Sequence, residues 1–117
     1  MNEAQKASKT FWGAPLWRTI HNLAASYTPE KKKEFKVFIN SLTTLLPCEK
    51  CQQNLKKNLK KLKVDDYLDN NHQLFLWSYF LHDMVNKELG KKSPPYVDVK
   101  AFFFKSLGSD CISCKLE

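Results

Sequence analysis

Residues 35–51 read FKVFINSLTTLLPCEKC, and this stretch decides the fold class. Phe35, Phe38, Ile39, Leu42 and Leu46 recur at steps of three and four, which places them on one face of an α-helix. Pro47 disfavours helical geometry in the residue before it, so the helix should stop at Leu46. Pro47 can also open the next helix, and Cys48 and Cys51 then lie at that helix's start.

The same spacing extends in both directions. Over residues 12–27, Leu16, Ile20, Leu23 and Tyr27 trace a first helix. Pro29 interrupts it, with Thr28 suited to cap the second helix and Pro29 to fill its first position. The third helix should run to about Lys61, with Asp65 or Asp66 capping a short turn around Tyr67. A fourth, from about Asn71 to Leu89, carries Phe75, Trp77, Leu81, Val85 and Leu89, and Gly90 stops it. A fifth fits residues 97–107, where Phe102, Phe103 and Phe104 offer a large apolar surface. The sequence has only three glycines and no Asn-Gly or Asp-Gly hairpin signal. These features predict an all-α helical bundle. Residues 1–10 read as a polar N-terminal segment, 11–107 as the domain and 108–117 as a C-terminal tail.

With 117 residues, of which 43% are hydrophobic, the composition is that of one globular domain. No apolar run reaches the ~18 residues of a membrane span, and residues 1–10 lack the apolar core of a secretory signal. The net charge is +7. Such a balance suits acidic partners, nucleic acid or a diphosphate-bearing cofactor. Six of the nineteen basic residues fall between Lys50 and Lys63, among Leu55, Leu59 and Leu62. That leucine spacing reads as one solvated helix face, and no zinc-finger or recognition-helix pattern points to a nucleic-acid partner.

The four cysteines form two Cys-x-x-Cys pairs, Cys48/Cys51 and Cys111/Cys114. At a helix start, free backbone N–H groups and the positive helix end stabilise a thiolate, and Lys50 adds charge. The thiolate is the attacking species in disulfide exchange, so the first pair suits redox chemistry. An inert disulfide and a zinc site shared with the second pair are the alternatives. A thioredoxin-like reading lacks the strands it needs.

Gly13, Trp17 and His21 share one stripe of the first helix, and Phe75, Tyr79, His82 and Asn86 one of the fourth. Facing each other, they would make an aromatic slot for a planar conjugated ligand. Beside His21 and His82 only Asp83 offers a carboxylate, so no metal site is expected.

Three blocks carry a resemblance. Trp12-Gly13-Ala14-Pro15-Leu16-Trp17-Arg18-Thr19-Ile20-His21 resembles the Trp-Gly…Trp…His opening of the Erv/ALR family of FAD-linked sulfhydryl oxidases. Leu46-Pro47-Cys48-Glu49-Lys50-Cys51 resembles that family's Pro-Cys-x-x-Cys disulfide. Residues 81–91, LHDMVNKELGK, resemble its His-Asn-x-Val-Asn-x-x-Leu-Gly-Lys signature. The blocks occur in the family's order, and the small size resembles its minimal virus-encoded members.

The resemblance implies a four-helix bundle plus a short fifth helix, holding FAD as a noncovalent homodimer. It implies disulfide formation in reduced protein thiols, with molecular oxygen reduced to hydrogen peroxide. Cys51 would lie against the flavin ring, and Cys48 would exchange with substrate. Trp17, His21, His82 and Asn86 would contact the cofactor, Gly13 would permit its close approach, and Lys91 would sit near its phosphates. Tyr27, Val85 and Leu89 complete the expected cofactor set. Cys111 and Cys114 would ferry electrons from bulky substrates or tie down the terminus. The resemblance implies the host cytoplasm or virion for a viral member, and the mitochondrial intermembrane space or secretory pathway for a cellular one.

Three departures from the family pattern stand out. Asp83 replaces the usual Asn. Tyr79 and Tyr96 occupy the places of a structural disulfide, so packing must replace it. The C-terminal Trp has no match, and Phe103 or Phe104 is its expected substitute.

Overall fold

The computed structural model describes residues 3–108, and the second pair, Cys111 and Cys114, lies outside them. The described residues form helices α1 (Glu3–Ala25), α2 (Lys32–Leu45), α3 (Glu49–Lys61), α4 (Asn71–Glu88) and α5 (Tyr96–Gly108). Single 3-10 turns at Pro29–Lys31 and Val64–Tyr67 link them, with no strand among the described residues. α1 packs chiefly on α4, α2 on α3, and α5 on α1. This is the expected all-α bundle. No helix among the described residues is long and apolar enough to cross a membrane.

α1 begins well before the expected residue 12. The apolar spacing that set the expected start begins only near Trp12, and Pro15 lies inside the observed helix. The strong helix formers Glu3, Ala4, Gln5, Lys6 and Ala7 carry the helix upstream instead. The face of α1 also differs from expectation. Ile20 and Tyr27 are buried, but Leu23 is 42% exposed, and Ala24 and Ala25 take its place against the core. Two alanines let α1 approach its neighbour closely. The Asn71 side-chain amide donates to the Ala25 carbonyl at 2.8 Å, satisfying an acceptor at the end of α1.

Thr28 is extended and precedes Pro29 as expected, but its hydroxyl caps no backbone N–H. It donates to the Glu30 carboxylate at 3.1 Å, and a 3-10 turn precedes α2. α2 ends at Leu45, one residue short of expectation, because Leu46 adopts the extended ψ of 132° that Pro47 demands. Pro47 does not open α3. Cys48 is the N-cap and Glu49 the first helical residue. Asn70 caps α4, its side-chain oxygen accepting from the Gln73 N–H at 2.9 Å.

The core joins Ile39 and Leu42 of α2 to Leu55 of α3, and Leu74, Phe75, Trp77 and Leu81 of α4. Trp77 is fully buried, edge-on to Phe35, and its indole N–H donates to the Leu62 carbonyl at 3.1 Å. Phe35 and Leu42 are thus buried within the chain and Phe38 packs against that core. The apolar face of α2 is used inside the chain. Large apolar side chains left exposed include Phe11, Val37, Leu45, Val97 and Phe102.

Candidate functional site

α3 begins by using a cysteine sulfur as its cap. Cys48 is extended (φ −159°, ψ 113°), and its sulfur accepts from the Cys51 N–H at 3.2 Å. The pair is joined as a disulfide with its Cα atoms 5.2 Å apart. The Gln52 side-chain amide donates to the Leu46 carbonyl at 2.6 Å, fixing the turn that presents the pair. Cys48 is buried and Cys51 half-buried, while Pro47 and Glu49 on either side of Cys48 are exposed.

A second locus forms where α1 faces α4. The Trp17 and His82 rings stack 4.1 Å apart and 7° from parallel. His21, buried behind them, lies 5.1 Å from the His82 ring and 5.2 Å from Phe103. Its Nε2 is 2.9 Å from His82 Nδ1, and its Nδ1 is 2.9 Å from the Ser78 hydroxyl. The two expected stripes meet only in part: Trp17 and His21 face Phe75 and His82, whereas Tyr79 and Asn86 turn toward Pro94 and Ser93, and the Trp17 and His82 rings stack on each other with no slot between them. Phe103 supplies an aromatic ring from α5 beside them.

Burial pushes the His21 imidazole down to about 3, and the neighbouring His82 adds to that shift. Burial likewise pushes His82 down to about 4, with Asp83 opposing and Lys91 assisting. Both values lie below the ordinary 6.5. From pH 6.5 down to about 4, the unfolded chain therefore binds protons that the folded chain refuses. The stability held by neutral histidines is complete above pH 6.5 and falls with pH, by about 1.4 kcal/mol per unit for each ring. The midpoint of urea unfolding should accordingly drop between pH 7 and about pH 5.5. Equal midpoints would mean that neither ring resists protonation.

Beyond His82, a polar network closes over the end of α4. The Asn86 amide donates to the Ser93 hydroxyl at 3.0 Å, and that hydroxyl donates to Asp83 at 2.7 Å. Lys87 pairs with Asp83 at 3.0 Å. The Ser93 and Lys87 hydrogen bonds hold the Asp83 carboxyl below its usual range. Asp83, where the family pattern has Asn, is thus an anchored carboxylate. Gly90, at φ +72°, ends the helix in the left-handed region open to glycine. The Lys91 N–H then reaches the Asn86 carbonyl and the Gly90 N–H reaches that of Lys87, at 2.8 and 3.2 Å. Lys87, Lys91 and Lys92 border an open groove of about 400 Å³ with Asp83 and Ser93.

Of the expected cofactor residues, the fold brings Trp17, His21 and His82 into one cluster, and Asn86 and Lys91 into the adjoining helix end. Val85 and Leu89 flank that end, half-buried and exposed. Gly13 borders open space, since nothing lies within 4 Å of where a Cβ would stand. Tyr27 is not part of the cluster. It is buried beside Phe35, and its hydroxyl donates to the Leu68 carbonyl at 2.9 Å. No group of residues that could hold a metal occurs among the described residues. Sequence reasoning missed Ser78 and Ser93. The four-residue steps from Ser78 to His82 to Asn86 were a usable signal for the first; a lone serine before Pro94 gave none for the second.

Comparison with known proteins supplies the remaining context. A protein of Invertebrate iridescent virus 3, named for FAD-linked sulfhydryl oxidase activity, is 31% identical over 96 residues, covering 79% of this chain and 63% of that protein. The chain thus spans less than two thirds of that relative's length. A protein of Acanthamoeba polyphaga mimivirus, named "Probable FAD-linked sulfhydryl oxidase R368", is 33% identical over 82% of this chain and 71% of its own. The crystal structure of the yeast Erv1 core superposes with a TM-score of 0.66 at 26% identity, covering 85% of this chain and 81% of that one. Residues 14–105 match the Erv1 / Alr family, a span holding both the Cys48–Cys51 disulfide and the Trp17–His21–His82 cluster; the chain belongs to that family.

Proposed function

We propose that the chain is an FAD-dependent sulfhydryl oxidase that forms disulfides in reduced protein thiols and reduces oxygen to hydrogen peroxide. The observation that carries this reading is the Cys48–Cys51 disulfide at the start of α3, in a chain whose relatives are named for that activity.

The residues present fit the cofactor. The stacked Trp17 and His82 rings offer a flat face to a conjugated ring system. The Trp12 indole N–H is buried with no acceptor among the described residues, the kind of orphaned donor that a bound group can satisfy. Gly13 leaves room, and Lys87, Lys91 and Lys92 supply charge for a diphosphate. The chemistry that FAD supplies when bound is two-electron transfer from a dithiol to oxygen.

The chain's own part is thiol–disulfide exchange. A substrate thiolate attacks the Cys48 sulfur, the Cys48–Cys51 bond breaks, and Cys51 leaves with the electron pair as a thiolate. A second substrate thiolate attacks the first substrate sulfur and releases Cys48. The substrate gains a disulfide and the pair becomes a dithiol. The Cys51 N–H and the positive end of α3 stabilise the released Cys48 thiolate. Exposed Pro47 and Glu49 flank the buried Cys48, and the half-buried Cys51 is the sulfur assigned to the ring.

The purified protein should be yellow, and adding FAD to stripped protein should raise its melting temperature, because a ligand of the native state stabilises it. A folded, colourless protein with no thermal shift would defeat the reading. The working unit is a homodimer, supported by exposed apolar side chains such as Phe11, Val97 and Phe102. Light scattering should give twice the chain mass; a monomer with full activity would count against it.

A further inference from the structure

Ser78 is fully buried on α4, and its hydroxyl has one hydrogen to give. That hydrogen has an acceptor at 2.6 Å, the Phe75 carbonyl oxygen, which cannot itself donate. The Ser78 oxygen is then the acceptor toward His21, and His21 Nδ1 carries a hydrogen. Both rings are neutral near pH 7, because burial lowers each of them. Each therefore has one N–H and one bare nitrogen. With Nδ1 protonated, His21 Nε2 is bare and accepts from His82 Nδ1 at 2.9 Å. His82 Nε2 is bare in turn, and no protein donor reaches it among the described residues.

We propose that Ser78 is a positioning residue that fixes the direction of the Phe75–Ser78–His21–His82 chain, so that His82 presents a hydrogen-bond acceptor to the ligand held beside Trp17. The ligand group it recognises is then a donor: an imide or amine N–H, or a sugar hydroxyl. The inference rests on the cofactor reading for its ligand and on the hydrogen-bond chain for its direction. Trp17, stacked within 7° of the His82 plane, restrains that ring from turning its other nitrogen outward. Reversing the chain requires the Ser78 hydroxyl to abandon Phe75, after which both rings would carry hydrogen on Nε2 and His82 would meet the ligand as a donor.

Nitrogen chemical shifts of ¹⁵N-histidine-labelled protein, as purified, read the tautomers directly. Both His21 and His82 should be hydrogen-bearing at Nδ1 and bare at Nε2. Ser78→Ala should convert His21 to a mixture of tautomers and weaken FAD binding about tenfold, the loss of one good hydrogen bond. Ser78→Thr keeps a hydroxyl able to bond the carbonyl one turn back and should restore the ordered pattern. Hydrogen on Nε2 of either ring in the unaltered protein would overturn the proposal, as would unchanged tautomers in Ser78→Ala. If Ser78→Ala does not fold, the assignment in the unaltered protein decides alone. Visible absorbance of the same sample separates this inference from the cofactor reading. A colourless sample with both rings in the Nδ1–H form keeps the chain's direction and rejects the cofactor. A yellow sample with the opposite tautomers does the reverse.

Discussion

Cys51→Ser should reduce dithiothreitol-driven oxygen consumption to background while the protein stays folded and yellow. The disulfide that accepts electrons is gone, and the remaining Cys48 can form only a mixed disulfide. Cys48→Ser should abolish turnover equally, for a different reason: the entry sulfur is lost. Serine is among the preferred N-cap residues, so the start of α3 survives this change and the loss belongs to chemistry. Near-normal oxygen consumption in either variant would sink the proposed roles. The pair Cys111 and Cys114, outside the described residues, provides the contrast. Under the proposed ferrying role, replacing both with serine should spare dithiothreitol oxidation, because a small thiol reaches Cys48 unaided. Oxidation of an unfolded, reduced protein should slow markedly, since the tethered pair no longer acts at high effective concentration. Equal rates on that protein substrate would leave the tail a structural part only.

The second large effect is on stability. Trp77→Ala should cost about 3–5 kcal/mol, a large share of the ~5–15 kcal/mol that holds a domain of this kind folded. Trp77 has no exposed surface, sits edge-on to Phe35, and its indole N–H satisfies the Leu62 carbonyl where α3 ends. Truncation opens a cavity between α2 and α4 and strips that carbonyl of its partner. Trp77→Phe should cost less, since most of the volume returns without the donor. Urea unfolding with intrinsic fluorescence from Trp12 and Trp17 measures both, and an unchanged midpoint for the alanine variant would refute this account of the core.

The helices were legible because their apolar spacing is regular and their stops are marked by Pro47 and by Gly90, whose positive φ suits a glycine after a helix. Errors arose where one residue satisfies two rules. Pro47 suits the first position of a helix, yet the sulfur of Cys48 does the capping. Leu23 fits the step of its neighbours, but the close approach of α1 favours Ala24 and Ala25, and the bulkier side chain faces outward. At the site, Trp17, His21 and His82 could be placed on facing stripes from spacing alone. Which way the ring nitrogens point depends on Ser78, whose distance to His21 is set by how two helices pack. Likewise Asp83 could be recognised as a departure, but its anchoring by Ser93 and Lys87 depends on the path of the chain after Gly90.

At the corner between α4 and α5, Tyr79 and Tyr96 meet edge to face, 5.2 Å apart, and the Tyr79 hydroxyl donates to the Pro94 carbonyl at 2.5 Å. The expected packing substitute for a structural disulfide is therefore in place, worth roughly 0.5–1.5 kcal/mol for the ring pair alone. A joint made of rings cannot be cut by a reductant. Among the described residues, a thiol reagent finds sulfur chemistry only at Cys48 and Cys51, so this corner keeps its shape in surroundings rich in glutathione as in oxidising ones. The scaffold is insulated from the currency its own helix start trades in.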